Sequence, residues 1–260
     1  MPAQRKRLRK ILTSVPIQKS HLSIRAFGRT QVRVKGELVT SAQWKTATAR
    51  ELFFYILTAS RPITKEEIGD TLWPESDSAQ LKLSFKNNLY RLRHALGEKV
   101  ILFEENLYRF NHYADYEYDV EDFIGHQTKA NETNDIKEKI LHLRAATQLR
   151  NGLYLQDLDG TWVLPEREHL EKAWLEAMRE LAESERNAGD LEAAIHTCQE
   201  ALKVDNCRED FHCLAMQLHY ERGNKLGIIW QYQECCKALS SELDIEPSET
   251  TKALYRRLIT

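Results

Sequence analysis

Ser84, Lys86, Asn87, Asn88, Tyr90 and Arg91 lie within one eight-residue stretch and bring amides, hydroxyls and cations together without a carboxylate. Asparagine amides can meet the N6/N7 edge of adenine with two hydrogen bonds, lysine reaches guanine or phosphate, arginine forks onto either, and hydroxyls suit phosphate oxygens. Such a set suits nucleic acid. A solvated polar helix face has much the same composition, so the reading rests on the elements around it. Taking Phe85 as the centre of the buried side, a rotation of about 100° per residue puts Asn87 and Arg91 outward and Arg93 at the flank. At the flank a guanidinium serves an ion pair inside the domain as readily as it serves DNA.

Leu81, Phe85, Leu89, Leu92 and Leu96 recur at spacings of three and four, which stacks them along one side of a helix beginning at Ser76 or Asp77. Before it, Thr64-Lys65-Glu66-Glu67 is a capping box for a short helix through Ile68 and Leu72, which Pro74 stops. After Gly97, the runs Val100–Phe103 and Leu107–Phe110 flank Glu104-Glu105-Asn106 and predict a hairpin. Short helix, connection, longer helix and hairpin follow the order of a winged helix-turn-helix, in which the longer helix enters the major groove and the hairpin is the wing. Two carboxylates at the hairpin tip repel a phosphate backbone, which makes Tyr108 and Arg109 at the wing base the better contacts. Upstream, alternating residues over Leu22–Phe27 and Gln31–Val34, with a short strand near Leu38, predict a small antiparallel sheet. A helix follows over Thr46–Ala59, with Trp44 at the junction of sheet and helix.

At these residues the chain resembles a known family. Leu72-Trp73-Pro74-Glu75, the run from Ser84-Phe85 through Arg91-Leu92-Arg93 to Ala95-Leu96-Gly97, and Leu107-Tyr108-Arg109-Phe110 are similar to the OmpR-type winged helix of the SARP-type bacterial transcriptional activators. Glu242-Leu243-Asp244-Ile245-Glu246-Pro247-Ser248 is similar to the end of the bacterial transcriptional activator domain that follows it in those proteins. The resemblance implies a sequence-specific regulator that binds double-stranded promoter DNA, sits as a side-by-side homodimer on direct repeats and recruits RNA polymerase. The polymerase contact would fall at the connection holding Trp73, Glu75 and Asp77.

Charge divides the chain in the same place. Residues 1–110 carry 20 Lys+Arg against 10 Asp+Glu, and residues 111–260 carry 17 against 29, an asymmetry hidden in the overall −2. A basic front fits a polyanion and an acidic back does not. This predicts a basic leader or linker at 1–20, a winged-helix domain at 21–111 and an all-α domain at 112–260, mainly α overall with a small β component. The aromatic-acidic run Tyr113–Asp119 reads as the link between the halves. The leader also permits a longer regulator with a separate sensor.

The back half carries a repeat. Gly223, Ile228, Tyr232 and Cys235 stand 34 residues after Gly189, Ala194, Cys198 and Ala201, and 34 is the tetratricopeptide period. Helices are expected over 136–149, 165–187, 190–203, 208–222, 225–242 and 248–259. Such arrays present a surface for protein, or serve as a buttress or dimer face.

Nothing points to catalysis. The phosphate-loop, dinucleotide, nucleophile-elbow and zinc-protease motifs are all missing, so neither an enzyme nor a cofactor is expected. His196 with Cys198, and Cys207 with His212 and Cys213, match no familiar zinc spacing, and no metal is expected. The five cysteines include no CxxC pair, and no eighteen-residue apolar run occurs. The expectation is a cytoplasmic protein, at the nucleoid when bound to DNA, with no membrane partner. The rival reading is a tetratricopeptide-type interaction module whose winged helix docks protein instead of specific DNA.

Overall fold

A computed structural model of the chain describes residues 21–260, and the basic leader expected at 1–20 lies outside them. The described residues form two compact units. The first takes in residues 21–26, Thr30–Tyr118 and Leu158–Trp162, and the second Phe27–Arg29, Asp119–Asp157 and Val163–Thr260.

The first unit begins with β1 (Leu22–Arg25), β2 (Gln31–Val34) and β3 (Glu37–Leu38). They pair antiparallel, with Leu22, Ile24 and Val32 turned into the core by the alternation of the strands. Next come α1 (Ser41–Trp44), a short helix that the sequence reading leaves as a junction, and α2 (Ala47–Thr58). Thr46 caps α2 by accepting from the Ala49 N–H. Leu52, Phe53, Phe54 and Ile56 on α2 are fully buried, each worth about 1.5–3 kcal/mol relative to exposure. Phe53 is the centre of this core, touching Trp44, Phe54 and Phe110 at centroid distances of 5.9, 5.1 and 6.1 Å.

The capping box at Thr64 and Glu67 forms and starts α3 (Lys65–Leu72), with Trp73 as C-cap. Asp77 caps α4 (Ser78–Leu96), which Gly97 ends at φ 111°, in the region where a side chain is strained. The expected hairpin is β4 (Ile101–Glu104) and β5 (Leu107–Phe110), turning at Glu105 and Asn106 with positive φ.

The run Tyr113–Asp119 is not a free link. Its residues Tyr116–Tyr118 form β6, which pairs in parallel with β1 and completes a sheet of order β3-β2-β1-β6. The compact front unit therefore continues through Tyr118 instead of closing at 111. A parallel partner lies far away in the chain, so hairpin signals cannot reveal it.

The second unit is helical: α5 (Asp119–Glu132), α6 (Ile136–Thr147), α7 (Leu164–Asn187), α8 (Leu191–Val204), α9 (Glu209–Glu221), α10 (Lys225–Leu243) and α11 (Glu249–Ile259). Successive helices pack in pairs. Ala130, Leu143, Ala177 and Leu181 form one buried cluster, and Met216, Ile228, Leu254 and Leu258 another. The 34-residue repeat is visible in the backbone. Gly189 and Gly223 both have positive φ at helix ends, and the following Asp190 and Asn224 cap α8 and α10 through the N–H groups of Ala193 and Gly227. Cys198 and Cys235 fill the small buried sites of the repeat, where burial pushes both thiols up to about 12. Thiols held protonated in this way act as small apolar groups. Of the residues weighed for zinc, His212 is hydrogen-bonded to the Asn206 carbonyl and Gln231, Cys213 to Thr251, and His196 is exposed beside Glu200.

Candidate nucleic-acid interface

The long helix α4 meets its neighbours unevenly. From Phe85 onward its inner side is sealed by Phe85, Leu89, Leu92 and Leu96. Over its first two turns Ser78, Ala79, Gln80, Lys82 and Leu83 are all exposed, and Leu81 is the residue that ties this end to α3. Leu81 lies directly over Gly69, where an added Cβ would come within 2.5 Å of it. The missing side chain at Gly69 lets α3 come close to α4 while the N-terminal end of α4 stands clear. That end begins at Asp77, whose Oδ1 accepts from the N–H groups of Ala79 and Gln80 at 2.9 and 2.8 Å. From Ser78 to Gly97 there is no carboxylate.

The expected residues separate on this frame. Lys86 and Asn87 are exposed, and Tyr90 is 68% exposed with its ring stacked on His94 at 6.1 Å. Arg91 is half-buried, with Nη1 3.4 Å from the Asn88 oxygen, and Ser84 is half-buried with its carbonyl accepting from Asn88.

Four of the expected residues have side-chain groups engaged within the domain, Arg93 in the internal role that its flank position allows. Asn88 is 6% exposed, donating through Nδ2 to the Ser84 carbonyl and accepting the Thr46 hydroxyl at Oδ1, so its amide is used inside the domain. Arg93 donates from Nη2 to the Ile101 carbonyl at 3.0 Å, which fastens α4 to the first wing strand. Tyr108 packs between Phe85 and Phe103 at 4.7 and 4.6 Å, and burial raises its phenol above the usual value. Arg109 is bound to Glu104 at 2.9 Å, with its guanidinium over the Tyr113 ring. The acidic tip thus occupies the cation that the wing base offers. In the connection before α4, Glu75 is exposed, Trp73 is half-buried, and the Asp77 carboxylate is committed to the cap.

Lys82 and Leu83 are the residues that the sequence reading passes over. Both are exposed on the protruding turns, and the rotation that placed Asn87 outward places Leu83 outward too.

Residues 118–259 match the model of the family described as the bacterial transcriptional activator domain. The chain belongs to that family. No curated protein matches it. Among solved structures it is similar to Mycobacterium tuberculosis EmbR in complex with a low-affinity phosphopeptide, at 21% identity and a TM-score of 0.76. That likeness covers 93% of this chain, while the chain spans 65% of the length of the EmbR chain. The fold likeness therefore takes in both units, and the family match falls on the second, in the order that the SARP-type resemblance implies. The activator domain supplies the helical repeats, and the winged helix supplies the open face of α4.

Proposed function

We propose that the chain is a transcriptional activator that reads double-stranded promoter DNA through α4, with the activator domain serving dimerisation, regulation or contact with RNA polymerase. The observation carrying this reading is the protruding, carboxylate-free end of α4, with Lys82, Lys86, Asn87 and Tyr90 exposed on it. Recognition helices contact base edges with their N-terminal residues, and lysines at the margin meet the phosphates that supply most of the affinity. Two protomers side by side on direct repeats would double the contacts. Glu75 offers the exposed charge of the Trp73–Asp77 connection to the polymerase.

The test is Lys86→Ala combined with Asn87→Ala, assayed by gel shift on duplexes selected from a random pool. Affinity should fall at least tenfold, the salt slope should flatten by about one, and the melting curve should be unchanged. Undiminished binding would remove α4 as the reading element.

A second reading is supported by the Glu104–Arg109 pair: a wing whose cation is already neutralised suits protein docking as well as DNA. Steep salt dependence alone does not decide between the readings, because any cationic face releases counterions. A preference for one sequence over random duplex does.

A further inference from the structure

Leu83 is 61% exposed at the centre of the outward face of α4. A rotation of about 100° per residue sets it opposite Leu92 and places Ala79, Asn87, Tyr90 and His94 within about 40° of it. Lys82 and Lys86 fall on one flank and Arg91 on the other. The face is thus apolar along its middle in the N-terminal half and cationic at its edges. A leucine side chain can form no hydrogen bond with a phosphate or with the polar atoms of a base. The one apolar group on the major-groove edges of the bases is the C5 methyl of thymine. The middle of a recognition helix's outer face also lies deepest in the groove, where base edges and not phosphates are met.

We propose that Leu83 selects thymine by packing on its methyl group. The proposal rests on the DNA-binding reading and adds a specificity-determining residue to it. Asn87, one turn farther on, is placed to take an adenine edge close by, so the contacted half-site carries A·T pairs. Ala79, one turn before, leaves the space that the methyl needs.

The experiment uses the full chain and a duplex recovered by selection from a random pool. Each thymine of that duplex is replaced in turn by deoxyuridine, which keeps base pairing and removes only the methyl. Binding is read by fluorescence anisotropy for the wild type, Leu83→Ala and Leu83→Met. At one position the wild type should lose about three- to fivefold in affinity, the worth of one buried methyl. Leu83→Ala should bind the thymine duplex about as weakly and be indifferent to that replacement, and Leu83→Met should restore much of the difference. The proposal is overturned if no replacement affects the wild type, or if the loss persists unchanged in Leu83→Ala. A pool that yields no enriched duplex overturns the DNA reading and this proposal with it, whereas an enriched duplex without a methyl effect overturns this proposal alone.

Discussion

The Thr46 hydroxyl donates to the Asn88 carboxamide oxygen at 2.9 Å, across 42 residues of sequence. Thr46 also caps α2, so one side chain both starts that helix and fixes the roll of α4 against it. Neighbouring asparagines therefore do different work: Asn88 positions the helix and Asn87 faces outward. Asn88→Ala should cost about 1–3 kcal/mol, since it removes the hydrogen bonds to Thr46, Ser84 and Arg91 and leaves the half-buried Thr46 hydroxyl without its acceptor. Asn87→Ala should lie within about 0.5 kcal/mol of the wild type. Urea unfolding of both variants checks the contrast, and equal midpoints would show that the Thr46–Asn88 bond contributes nothing.

Glu67 closes the α3 capping box on Thr64 and also accepts from Arg61. The Arg61 hydrogen bond, aided by those from Thr64, lowers its carboxyl to about 2 from an ordinary 4.5. Above 4.5 the group is charged in both folded and unfolded chains, and its full stabilisation is present. As pH falls from there towards 2, the unfolded chain binds a proton that the folded chain refuses, and stability declines. Glu67→Gln keeps the cap and removes the titration. Its melting temperature should be less dependent on pH in that window than the wild type's, by differential scanning fluorimetry.

In the helical unit Arg144 binds Glu185 through Nε and Nη2 at 2.9 and 2.7 Å, and the Thr197 hydroxyl takes the other carboxylate oxygen at 2.7 Å. The carboxylate is 2% exposed, while the Arg144 side chain is 45% exposed. Loss of the two partners is therefore unequal. Arg144→Met strands a buried charge and should cost about 3 kcal/mol, whereas Glu185→Met leaves an arginine that can turn to water and a Thr197 hydroxyl without its acceptor, and should cost less, about 1–2 kcal/mol. Denaturant midpoints give the order, and the reverse order would contradict this account of the site.

At the wing, Glu104→Gln removes one carboxylate and frees Arg109. If the wing lies along the duplex, affinity for any DNA should rise about threefold at low salt, with a steeper salt slope. Anisotropy on selected and random duplexes measures both; an unchanged slope would place the wing away from the phosphates.

Much of the architecture could be read from the chain because its causes are local. Capping at Thr64 and Asp77, the apolar spacing from Leu81 to Leu96, the turn between the wing strands and the 34-residue repeat all depend on residues within a few positions, or one period, of each other. The winged helix and the activator domain were legible for that reason.

What tertiary structure alone decided concerns which side chains meet across elements, whether the partner is near or far in sequence. The strand at Tyr116–Tyr118 exists because β1, more than ninety residues earlier, lies beside it. Asn88, Arg93, Tyr108 and Arg109 have the composition of a DNA contact, but each has its group engaged within its own unit, by Thr46, Ile101, Phe85 and Glu104 respectively. Residue type states which bonds a side chain can form. Only packing states which are already made, and so leaves Lys82, Leu83, Lys86, Asn87 and Tyr90 as the open face.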